Sequence, residues 1–166
     1  MNRDQFWSLV EKVDREAGGE MEKKCELLEA ELARLSLEEI LDWDLHLQTL
    51  RGEANTHDVG GVAHLYGGGC SDDGFLDFRS CLVSCGRKLF EQVMRDADNL
   101  ADYKGRSHLM HEGYQYVAHT VYERLTGRAI PYDSSMLSQR RETSGTPWKV
   151  EDLPRRFPRM AARYGL

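Results

Sequence analysis

Gly67-Gly68-Gly69-Cys70-Ser71-Asp72-Asp73-Gly74-Phe75-Leu76-Asp77-Phe78-Arg79 reads as a chain break, a cap and the opening turns of a helix. Three consecutive glycines interrupt what precedes them, and Gly68 and Gly69 allow left-handed backbone in the turn. Ser71 then stands as an N-cap, its hydroxyl placed to accept from a first-turn amide. Asp72 and Asp73 follow where negative charge complements the helix dipole. Beyond them Phe75, Phe78, Leu82, Cys85, Leu89 and Val93 recur with helical spacing. The stripe predicts one continuous helix ending at Asp96-Ala97-Asp98-Asn99, with Gly86 beside it admitting a close neighbour.

The same period extends in both directions. Phe6, Val10, Val13 and Ala17 share a face that closes at Gly18-Gly19, and Met21, Cys25, Leu28, Leu32 and Leu35 form the next. Ser36 with Glu39 is a capping box opening a third run, Ile40, Trp43, Leu47, Leu50 and Ala54. Short connections between such helices imply antiparallel neighbours. Val59 to Tyr66 is a shorter apolar stretch diluted by Gly60 and Gly61, either a helix that lets another backbone approach or irregular chain. A further helix is expected over Glu112–Leu125, closed by Thr126-Gly127.

No stretch alternates with period two. The expectation is therefore an all-α fold: a single compact multi-helix domain over residues 1–166, of about six helices. Residues 128–149, rich in Ser, Thr, Gly, Arg and Pro, read as a long loop. Residues 150–166 read as a basic tail, with arginines at 155, 156, 159 and 163, packed back onto acidic helices.

Composition narrows the function classes. The chain has 166 residues, 40% hydrophobic and 30% charged, an ordinary globular balance. Its net charge of -6 argues against general nucleic-acid binding and against anionic membranes. No apolar run is long enough to cross a bilayer, and the first residues, Met1 to Trp7, lack a signal-peptide core. Cys25, Cys70, Cys81 and Cys85 are read as reduced thiols, which places the chain in the cytoplasm.

The segment Gly68-Gly69-Cys70-Ser71-Asp72-Asp73-Gly74-Phe75-Leu76-Asp77-Phe78-Arg79 resembles the bacterial family named domain of unknown function 4240. Further signatures are Phe6-Trp7, Gly86-Arg87, Asp98-Asn99-Leu100-Ala101-Asp102, Tyr122-Glu123 with Thr126-Gly127, and Arg155-Arg156-Phe157-Pro158-Arg159. The chain departs from the pattern at Gly67, where Asn is usual, at Cys81, where Trp is usual, and in the extra glycines before Gly67. The resemblance supports the choice of site and carries no activity with it.

Most of the motif is explained as a good helix start. What exceeds a cap is the second aspartate, Asp77 one turn beyond Asp73, and Arg79, set on a half-buried stripe. These residue types suggest a carboxylate–guanidinium network at the mouth of a glycine loop. The candidate binding residues are Cys70, Ser71, Asp72, Asp73, Asp77 and Arg79, with Arg87 from the Gly86-Arg87 signature. Two aspartates would repel a phosphate, and Cys70 has no base beside it in sequence to activate it. His108, His111 and His119 are read as surface histidines rather than a metal site. The reading is a non-catalytic binding or regulatory module that uses the Gly67–Arg79 corner to hold a protein partner or small ligand. No cofactor and no metal are called for. Two alternatives stay open: a hydrolase or transferase using Asp72, Asp73 and Asp77, with or without a divalent cation, and a toxin-neutralising protein.

Overall fold

Short polar residues set where helices begin. The computed structural model describes residues 1–131 and 142–164, and all element statements concern these. Asn2 caps α1 (Arg3–Glu16) through a reciprocal box with Gln5. Ser36 does the same with Glu39 for α3 (Leu37–Glu53), and α2 (Met21–Leu32) lies between them. Thr56 accepts from the Val59 amide to open α4 (His57–Gly67), and Ser71 accepts from the Gly74 amide to open α5 (Asp72–Ser84). Next come α6 (Arg87–Arg95), a 3-10 turn over Ala97–Asp102, a second over Tyr114–Tyr116, and α7 (Val117–Thr126). Gly127 closes α7 in the left-handed conformation. A 3-10 turn at Val150–Asp152 leads into α8 (Leu153–Arg156) and α9 (Pro158–Tyr164).

The class is all-α, and among the described residues there are nine α-helical segments rather than about six. Two causes account for the difference. The continuous helix expected from Phe75 to Val93 is two helices: Gly86, with φ +97°, breaks it between α5 and α6. That conformation is open to glycine and strained for other residues. The tail, read from the sequence as a basic segment packed back, contributes two more helices. The helix expected from Glu112 begins as a 3-10 turn at Tyr114. The long loop expected over 128–149 falls largely on residues 132–141, outside the described residues; 128–131 and 142–149 contain no helix. The tail residues 165 and 166 also lie outside them.

Trp43 on α3 sits at the centre of the core, with Phe6 and Tyr114 on either side. Helix α1 packs on α2, α3 and α5, while α7 packs on α2 and α3. Lys24 is the most deeply buried charged side chain among the described residues. Lys24 on α2 is fully buried, its Nζ 2.6 Å from an Asp14 carboxylate oxygen and donating to the Ser84 carbonyl at 3.1 Å. That carbonyl belongs to the last turn of α5, where the helix leaves acceptors unsatisfied and its dipole favours a cation.

The tail is held by α4 and by the Ala97–Asp102 turn. A Cβ at Gly61 would lie 2.6 Å from the Phe157 ring and 3.1 Å from Leu153, so the missing side chain on α4 makes room for the tail. Asp98 accepts from the amides of Arg159 and Met160 at 3.1 and 2.9 Å, capping α9 from a distant segment. Arg156 pairs with Asp58, and Arg159 with Asp102.

Candidate functional site

The Gly67–Arg79 corner is where α4 ends and α5 begins. Ser71 serves as the cap, its Oγ accepting from the Gly74 amide at 3.0 Å. Asp72 and Asp73 stand exposed on the first turn of α5. Cys70 is half-buried; burial first, and then the Asp72 charge, push its thiol above the ordinary range, against a smaller pull from Arg79. A thiol held protonated is a poor nucleophile.

Arg79 is half-buried as expected, but its partners are not the carboxylates. Its Nε donates to the Phe75 carbonyl at 3.2 Å and its Nη1 to the Arg51 carbonyl at 3.0 Å. Its guanidinium lies 4.5 Å over the Phe75 ring. Arg51 is in the last turn of α3, so Arg79 satisfies an end-of-helix acceptor and clips α5 to α3. Burial, with the charge of Arg51, lowers its pKa to about 10, which leaves it a cation at neutral pH. The expected carboxylate–guanidinium network is not formed: the carbonyls compete successfully because they lie where the buried side chain ends.

Arg87 is removed from the corner. It opens α6, and fifteen residues of mostly helical rise put it about 20 Å from Asp72. There its guanidinium pairs with Asp4 at 3.0 Å and Glu91 at 2.7 Å, while its amide donates to Glu11. It ties α6 to α1.

Asp77 turns away from the glycine loop and reaches a different group of residues. Gln115 Nε2 donates to its carboxylate at 2.6 Å, and Arg51 Nη1 donates to the Gln115 carbonyl oxygen at 2.9 Å. Burial, then the charges of Glu112 and Asp73, raise the Asp77 pKa. Arg51 and Gln115 of this relay line a cleft of about 280 Å³ between α3, α5 and the start of α7. Leu47 and Leu76 give it apolar walls, and the ring of Tyr116, 48% exposed, stands at its rim. Its floor holds Asp44, only 3% exposed, which accepts from Gln48 Nε2 and lies 3.2 Å from His119 Nε2.

His119 is thus part of a cleft rather than a lone surface histidine. Asp44, Gln48, Arg51, Gln115 and Tyr116 were not singled out from the sequence, and His119 was read only as a surface histidine. On α3 the polar positions 44, 48 and 51 follow helical spacing, which was the available signal. Among the described residues no group of three His, Cys, Asp or Glu side chains is placed to hold a metal ion. Asp72, Asp73 and Asp77 do not converge.

A family model described as "Protein of unknown function (DUF4240)" matches residues 1–124. The match spans well over half of the 166 residues, and the chain belongs to this family. No curated protein and no solved structure matches it.

Proposed function

We propose that this member of the family is a binding module whose site is the cleft between α3, α5 and α7, with the Gly67–Arg79 corner as its scaffold. The observation that carries the reading is Asp44. A carboxylate has about four acceptor positions, and burying it is costly unless they are filled. Gln48 and His119 supply two contacts to it from the cleft wall. The remaining acceptor capacity favours an incoming donor that carries positive charge.

The surroundings match a basic side chain presented by a partner. A guanidinium reaching Asp44 would pass the Tyr116 ring, whose face attracts cations. The aliphatic stem would lie against Leu47 and Leu76. The corner contributes through Leu76 and Asp77 rather than through its exposed aspartates.

Thermal melting in the presence of N-acetyl-arginine amide tests this. Millimolar probe is expected to raise the Tm of the wild-type chain, as any ligand that prefers the folded state does. N-acetyl-norleucine amide is expected not to. Leu76→Trp, which fills the cleft, should remove the rise while leaving the chain folded. Equal shifts for the two probes, or no shift for either, would contradict the reading.

A further inference from the structure

A second cavity, of about 390 Å³, opens between the end of α4, residues 103–108 and α9. Three half-buried tyrosines, Tyr66, Tyr103 and Tyr164, share its wall with Arg106, His108 and Arg163. Among the described residues no carboxylate side chain lines it, although the chain as a whole carries a net charge of -6. Its size falls within the span typical of small-molecule sites, about 300–1,000 Å³.

The rings are held in place. Tyr66 and Tyr164 meet edge to face with centroids 5.4 Å apart, and Tyr66 meets His108 in the same manner. The Tyr66 hydroxyl accepts from the Leu109 amide at 3.2 Å, and the Tyr103 hydroxyl donates to the Ser107 carbonyl at 3.2 Å. Side chains fixed in this way lose little freedom when a ligand arrives.

The cations keep donors in reserve. Arg163 Nη1 donates to the Ala101 carbonyl at 2.6 Å, and a guanidinium has five N–H donors in all. Arg106 Nη1 is 3.9 Å from a Glu20 oxygen, beyond hydrogen-bond reach. The nearby acid Asp102 is hydrogen-bonded by Arg159, with the Arg163 charge a weaker influence on it.

We propose that this cavity binds a nucleoside monophosphate, the phosphate on Arg106 and Arg163 and the base against the tyrosine rings. Guanidinium groups favour phosphate oxygens through charge-assisted hydrogen bonds. Flat bases gain from aromatic faces whatever their sequence of ring atoms. The site is separate from the cleft that contains Asp44, and each can fail without the other.

Calorimetric titration of the full chain with AMP and UMP, beside adenosine and inorganic phosphate, is the test. Saturable binding of at least one nucleotide is expected, with adenosine and phosphate each weaker by about tenfold or more, the scale of one charge-assisted hydrogen bond. Arg106→Gln and Arg163→Gln should each weaken the nucleotide by a similar factor, whereas Leu76→Trp should not. Arg106 is 76% exposed, so its variant remains decisive if Arg163→Gln fails to fold. Absence of saturable nucleotide binding, phosphate or adenosine binding as tightly as the nucleotide, or nucleotide affinity unchanged in Arg106→Gln would overturn the proposal.

Discussion

Arg79 joins α5 to α3 through two carbonyls and a ring, and each contact depends on the planar fork of its guanidinium. Lysine has the charge without the fork. Arg79→Lys is therefore expected to cost about 1–2 kcal/mol of folding stability, read by urea unfolding. Asp77 behaves in the opposite sense. A carboxyl whose pKa is raised on folding binds its proton more tightly in the folded state. That part of stability grows as pH falls from the raised value toward the ordinary 3.8, and the charged form costs stability above it. Asp77→Asn keeps an acceptor for Gln115 and removes the charge. Its Tm should exceed the wild type at pH 7, and the advantage should vanish below the ordinary carboxylate range. At this scale the sequence announced Ser71, because a cap is a local event three residues long. It could not announce Asp77–Gln115 or Arg51–Gln115, whose partners are 38 and 64 residues apart.

Several helix boundaries were legible from local signals, although the Asn2–Gln5 capping box of α1 was not read. Ser36 with Glu39 and the glycine after α7 are among the legible ones. The α5–α6 break was missed for a physical reason: the apolar stripe continues numerically through Cys85, Leu89 and Val93, so period alone gives no sign of a stop. In the folded chain the phase resets at Gly86, and α6 buries Phe90 and Val93 while Leu89 is half-buried. Gly86 stood beside the stripe and was read as a place for close approach, when its requirement is backbone conformation. Gly86→Ala should destabilise the chain by about 1–3 kcal/mol through strain at positive φ, although a helix former has been introduced. Equal or greater thermal stability would instead favour a continuous helix. The two glycines of α4 make a paired case. A Cβ at Gly60 meets the Phe75 ring at an ordinary 3.7 Å, so Gly60→Ala should be neutral or slightly stabilising. Gly61→Ala should cost about 1–3 kcal/mol, because Phe157 must move.

At the scale of the whole molecule, the tail and the cleft are both products of long-range assembly. Phe157 over Gly61 and Asp98 at the start of α9 fix the tail more firmly than the exposed ion pairs Arg156–Asp58 and Arg159–Asp102, which are individually weak. Gly61→Ala should accordingly expose residues 142–164 to limited proteolysis, and Arg156→Ala should not. The cleft exists because α3 is clipped to α5 by Arg79 and to the start of α7 by Arg51 and Gln115. Its lining residues come from three separate parts of the chain, which is why the sequence pointed to the neighbouring corner and not to the cleft itself. The direct test of the central claim is an amide chemical-shift titration of the full chain with N-acetyl-arginine amide. Saturable shifts confined to residues 44–51, 76–77 and 115–119, abolished by Leu76→Trp, are expected. Shifts centred on Asp72 and Asp73, or none that saturate, would contradict it.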